Sequence, residues 1–129
     1  MDGEIHNERI LKLELRLAQL EKNEECQNTF LSFVKNIWPS FIQGRHHEII
    51  AEKLERVARG ELKRLIINMA PRHTKSEFAS FLFPAWMMGR SPNMKIIQAT
   101  HTTELAVNFG RKVKNLIETD EFKTVFPDV

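Results

Sequence analysis

The chain has 129 residues, of which 42% are hydrophobic and 28% charged, with a net charge of +2. That is about one domain's worth of sequence, long enough to bury a real core, and its ordinary globular composition names no function by itself. A single cysteine, Cys26, excludes a disulfide framework or a cysteine-rich zinc site within one chain and fits a reducing compartment.

No apolar run approaches the roughly 20 residues needed to span a bilayer. The best stretch, Phe78–Met88, is short and interrupted by Pro84. The N-terminus is acidic and polar, unlike a secretory signal. Charge is unevenly placed: Glu4, Glu8, Glu14, Glu21, Glu24 and Glu25 crowd the front, whereas Arg90, Lys95, Arg111, Lys112 and Lys114 follow Gly89. The later cations form either a surface that attracts a polyanion or a merely solvated helix face.

Residues 4–27 contain neither Gly nor Pro and are predicted to form one helix. Ile10, Leu13, Leu17 and Leu20 alternate spacings of three and four, a seam of about two heptads. Two readings stand: an amphipathic arm packed on its own domain, which is the expectation, or a short coiled coil. A second helix, Phe30–Trp38, places Phe30, Phe33, Val34 and Ile37 on one face and stops at Pro39. A third, His46–Arg59, carries the stripe Ile50, Leu54 and Val57. Gly60 sits where a left-handed cap belongs.

Leu62–Met69 is predicted as a strand, because Leu65, Ile66 and Ile67 are consecutive and apolar, as in a parallel strand buried on both faces. Ala70–Lys75 is a loop. Ser76–Met88 is apolar nearly all round and reads as a buried helix, kinked or ended by Pro84. A turn at Gly89–Asn93 precedes a second predicted strand, Met94–Thr100. Thr102 or Thr103 then caps a helix that buries Leu105, Phe109, Val113 and Leu116. Residues 119–129 show a polar turn and no obvious closing element. The order strand, loop, helix, strand, helix predicts an α/β fold: the start of a parallel sheet with flanking helices, preceded by an N-terminal helical segment.

Backbone N–H groups and the helix dipole bind phosphate at a loop that leads from a strand into a helix. Here that loop carries Lys75, placed to reach β- and γ-phosphates, and Ser76, whose hydroxyl is placed to hold Mg²⁺. The usual glycines are missing; Met69 and Thr74 occupy their positions. Thr74 is β-branched and disfavours positive φ, and Pro71 lacks an N–H.

The run from Leu65 to Ile117 resembles the ATPase domain of the large terminase subunit of tailed bacteriophages. The resemblance rests on Pro71-Arg72-His73, Lys75-Ser76-Glu77, Pro84-Ala85-Trp86, Glu104-Leu105-Ala106 and Phe109-Gly110-Arg111, and it extends over about Phe30–Val129. It implies an incomplete P-loop NTPase, with residues 1–28 an N-terminal arm and 29–129 the front of the ATPase domain. ATP and Mg²⁺ would be the cofactors. Pro71, Arg72, His73, Thr74, Lys75 and Ser76 would cradle the phosphates. Lys75 and Arg72 would be catalytic, Arg72 as the γ-phosphate-sensing cation, and Ser76 would hold the metal. His47, or His46, would lie near the adenine, the alternative being a cap or surface residue. Ala99–Leu105 corresponds to the region that couples nucleotide to DNA. Arg111, Lys112 and Lys114 would contact phosphates of double-stranded DNA.

Implied partners are viral double-stranded DNA, the portal protein and the small terminase subunit, with a ring oligomer for the intact motor. The setting would be the host cytoplasm, transiently at the procapsid portal. The acidic strand end and catalytic Glu of such motors lie downstream of the second strand–helix unit. After Val113 the chain has only Glu118, Asp120, Glu121 and Asp128, none following an apolar strand. The expectation is a front fragment, cut before the acidic strand and lacking the nuclease domain, with no nuclease activity and little or no ATP turnover alone. Two other readings are another phosphate-loop ATPase (helicase-like or a small-molecule kinase) and a non-catalytic interaction protein with a vestigial loop.

Overall fold

A computed structural model of the chain describes residues 1–72 and 75–129. The elements in order are α1 (Asp2–Asn28), α2 (Phe30–Ile37), α3 (Arg45–Ala58), a π-helical segment (Glu77–Leu82), α4 (Phe83–Arg90), α5 (Thr103–Glu118) and α6 (Asp120–Val125). Lys75 and Ser76 are already helical, so the π segment and α4 form one continuous helix over 75–90.

Local chemistry accounts for several boundaries. Gly60, at φ 77°, closes α3 in the left-handed region that glycine enters at no steric cost; Glu61 N–H then returns to the Arg56 carbonyl at 3.0 Å. Thr102 and Thr119 cap α5 and α6, each hydroxyl accepting a backbone N–H at 3.3 Å, from Leu105 and Phe122. The predicted caps at Gly60 and Thr102 are therefore used. The end of the chain, read as lacking a closing element, instead forms α6 and buries Phe122, Val125 and Phe126.

The core is strongly aromatic. Phe30 lies 5.4 Å from Trp86 and 5.5 Å from Phe78, centroid to centroid, and Phe33 lies 6.0 Å from Phe122. Trp86 is fully buried, and its indole N–H donates to the Cys26 carbonyl at 2.9 Å. That carbonyl belongs to the last turn of α1, where no intrahelical donor is available, so the bond caps the arm's end. Gln27 and Asn23 add bonds to the Val125 and Thr124 carbonyls. Gly89 lets Phe126 approach: a Cβ there would lie 2.5 Å from the ring.

The arm does not pack along its own domain as expected. Residues 1–22 are all exposed, including Leu13 at 66% and Leu17 at 57%. α1 meets the body only from Asn23 onward, through Asn23, Gln27 and the buried Cys26.

The α/β reading is overturned. Helix makes up 69% of the structure, and no strand or sheet is present among the described residues. Both segments predicted as strands, Leu62–Met69 and Met94–Thr100, are irregular. The physical reason is that a strand exists through its ladder, and neither segment finds one. No backbone–backbone hydrogen bond joins them among the described residues. The burial on both faces that the apolar triplet predicts is not found. Leu65 and Ile67 pack on the core while Ile66, between them, is 85% exposed. Ile97 in the second segment is 94% exposed. Among the described residues, no helix is long and apolar enough to cross a membrane.

Candidate functional site

The helix over 75–90 determines the site, because its first turn carries Lys75 and Ser76. Its sequence is apolar on the side facing α2 and α5: Phe78, Leu82, Ala85 and Trp86 are buried. Pro84 sits inside it. Proline has no N–H, so the Ser80 carbonyl four residues earlier loses its normal helical donor. The backbone widens into the π segment just before Pro84, one of the recognised sources of helix distortion. The Gln98 side chain then donates to that Ser80 carbonyl at 2.6 Å. Pro84, expected to kink or end the helix, does not end it; the π segment directly precedes it, and the segment 94–100 supplies the missing donor.

At the front of this helix, Met69, Ala70, Pro71, Arg72, Lys75, Ser76 and Glu77 line an open concavity of about 410 Å³. His73 and Thr74, both named as phosphate-cradling positions, lie outside the described residues. Arg72 has φ 66°. A non-glycine residue there is uncommon and strained by roughly 1–3 kcal/mol. Among the described residues of the loop, positive φ is found at Arg72, and Met69, one of the two glycine-like positions, does not adopt it.

The charge balance of the concavity is positive. Neither Arg72 nor Lys75 forms a salt bridge among the described residues. Its one described carboxylate, Glu77, is met by Lys112 Nζ at 3.6 Å. Both side chains are part-exposed, so the pair contributes little stability; its effect is to offset the acid nearest the two cations. Lys112 also stands 5.8 Å from the Phe109 ring and 5.9 Å from Phe81.

His47 lies behind the site. Its ring is buried, 4.7 Å from Phe41 and 5.1 Å from Phe78, with the His46 ring 3.8 Å away and tilted by 40°. Its Nδ1 accepts the Gly44 N–H at 2.8 Å, which caps the start of α3. Burial, and secondarily His46, holds its pKa below the ordinary histidine value. His47 is thus a capping residue of α3, on a ring that touches the loop helix through Phe78.

The three basic residues of α5 do not share one face. At 100° per residue, Lys112 and Lys114 stand about 160° apart around the helix. Lys112 turns to Glu77, whereas Lys114 pairs with Glu118 at 3.9 Å. Lys114 borders a different concavity of about 480 Å³, with an apolar lining that includes Pro84, Met88, Ile96 and Val113. Leu105, expected in the core, is 44% exposed, while Val113 and Leu116 are buried. Trp86 is core and Met88 packs partly against it.

Sequence reasoning missed the involvement of Lys112 with Glu77 and of Gln98 with Ser80. Both link residues more than one element apart. The available signal for Gln98 was the orphan carbonyl that any mid-helix proline implies. No group of three or more His, Cys, Asp or Glu side chains is placed to hold a metal among the described residues. The Ser76 hydroxyl and nucleotide phosphates, as ligands, would not require one. Comparisons with protein families, with curated proteins and with solved structures find no match to this chain.

Proposed function

We propose that the loop Met69–Glu77 binds the phosphates of ATP with Mg²⁺, and that the chain forms the nucleotide-binding part of a phage DNA-packaging motor of the large-terminase kind. One observation supports the binding site above others: Arg72, Lys75 and Ser76 line a single concavity at a helix start, and its described carboxylate is already offset by Lys112. In this reading Lys75 sets its ammonium against the β- and γ-phosphates. Ser76 offers its hydroxyl to the metal. Arg72, held in the left-handed region, aims its guanidinium at the γ-phosphate, where charge grows as the bond to it breaks. The backbone N–H groups of the first helical turn add partial positive charge. A concavity of about 410 Å³ falls within the usual range for ligand sites.

The motor assignment, with viral double-stranded DNA, portal protein and small subunit as partners, rests on the residue pattern around the loop. The test is a titration with a fluorescent ATP analogue, with and without Mg²⁺. Lys75→Ala is expected to weaken binding at least about tenfold, a loss of about 1.4 kcal/mol, and Ser76→Ala to abolish the Mg²⁺ dependence. Helical content, followed by circular dichroism, should stay unchanged. No binding at about 1 mM nucleotide, or binding indifferent to Lys75, would overturn the proposal.

A further inference from the structure

The front of α1 packs on nothing among the described residues of its own chain. Residues 1–22 are all exposed, and over about 30 Å of helix they project beyond the body. Ile10 and Leu17 occupy the first position of successive heptads, Leu13 and Leu20 the fourth. A β-branched residue at the first position with Leu at the fourth, as in Ile10 and Leu13, favours two strands. These four side chains are 41–66% exposed, although they form one stripe.

The flanking charges identify the occupant. In this register Arg9 and Arg16 fall at the last position of each heptad, and Glu14 and Glu21 at the fifth. Two parallel helices in register bring the last position of one heptad beside the fifth position of the next heptad on the partner. Arg9 then faces Glu14 of a second copy and Arg16 faces Glu21, and the two-fold axis repeats both pairs. An antiparallel arrangement would set Arg against Arg and Glu against Glu. The complementarity therefore selects a parallel pair of identical helices.

The body leaves room for it. Asn23, Cys26 and Gln27 turn α1 toward α6 and the core, while Glu24, the next position on the stripe, is exposed. At 100° per residue the stripe faces about 110° away from the body-facing side. A two-fold rotation carries the two bodies to opposite sides of the pair. We propose that α1 forms a parallel two-stranded coiled coil with α1 of a second copy of this chain, closed by Ile10, Leu13, Leu17 and Leu20 and oriented by the Arg9–Glu14 and Arg16–Glu21 contacts. Leu11 and Leu15 lie outside the seam and remain on the outer surface of the pair.

Sedimentation equilibrium of the full chain tests this, over concentrations from about 1 µM to 0.3 mM because two heptads give a modest affinity. The expected result is a reversible monomer–dimer equilibrium. A Glu14→Arg/Glu21→Arg variant and an Arg9→Glu/Arg16→Glu variant should each self-associate about tenfold or more weakly. Mixed one to one, they should form a heterodimer at least as tight as the original homodimer, since every facing pair is again opposite in charge. Both changes are on exposed helix surface, and unchanged circular dichroism would show that the fold persists. A monomer throughout the range would overturn the proposal. So would a trimer, or a dimer indifferent to both charge reversals and to their mixing.

Discussion

Replacing Gln98 by Ala removes the donor to the Ser80 carbonyl, made at 2.6 Å. Ser80 is half-buried, so water recovers part of the lost bond. A net hydrogen bond contributes about 0.5–1.5 kcal/mol and an unsatisfied buried carbonyl costs about 1–3; with partial access to water the expected loss is about 1 kcal/mol. For a chain of this length that lowers the melting temperature by about 3–5 °C. The reason the carbonyl needs Gln98 is Pro84, which offers no N–H. Pro84→Ala restores that donor, so Gln98→Ala in the Pro84→Ala background should cost under about 0.3 kcal/mol. Urea unfolding of the four proteins in this cycle, followed by circular dichroism, measures the coupling directly, provided the dependence on urea is unchanged. Equal costs for Gln98→Ala in both backgrounds would refute the account and leave the π segment without its stated cause.

Two glycines should respond with opposite sign. Gly89→Ala drives a methyl within 2.5 Å of the buried Phe126 ring and is expected to destabilise by about 1–3 kcal/mol, whereas Gly110→Ala, in α5 with nothing within 4 Å, should stabilise by up to about 1 kcal/mol; thermal melts compare them. Arg72→Gly relieves the strain at φ 66° and is expected to raise stability by about 1 kcal/mol while weakening ATP-analogue binding, read by melt and titration on the same samples. His47 carries a pH dependence of defined sign. Its folded pKa lies below the ordinary 6.5, so the folded state takes up a proton less readily than the unfolded chain. The stabilisation is complete above 6.5 and is lost as pH falls from there through the lowered folded value. His47→Gln keeps an acceptor for the Gly44 N–H and should flatten the His47 contribution to the slope of stability against pH below 6.5. An undiminished slope would place the titration elsewhere.

Much of the helical framework was legible because helices carry their own signals. Gly60 supplies a left-handed cap, Thr102 a hydroxyl acceptor, and the spacing of Phe30, Phe33 and Val34 a buried face. Helix α6 had the same kind of signal in Thr119-Asp120-Glu121, a capping hydroxyl followed by acids, with Phe122 and Val125 three apart. The two strands failed for a different reason. Leu65-Ile66-Ile67 states that a segment is apolar, whereas a strand also needs a neighbour, and sequence composition does not say whether one is at hand. The site divides in the same way. Arg72, Lys75 and Ser76 sit within five residues, so their convergence followed from local spacing. The approach of Lys112 to Glu77 depends on how α5 packs beside the loop helix, which no local pattern encodes. The separation of Lys112 from Lys114 was readable from helical period alone.

The aromatic core gives the chain a pair of built-in optical reporters. It has two tryptophans and no tyrosine, so its intrinsic fluorescence comes from two indoles in unlike settings. Trp86 is sealed from solvent, bonded to Cys26 and covered on one face by the Arg90 guanidinium at 4.6 Å. Trp38 is part-exposed, donates to the Ser40 hydroxyl at 2.9 Å and lies one ring, Phe41, away from His47 and Phe78. The blue edge of the emission therefore reports whether the arm is seated on the core, and the red edge reports the aromatic cluster behind the loop. Loosening at either place can be followed by colour without attaching a dye.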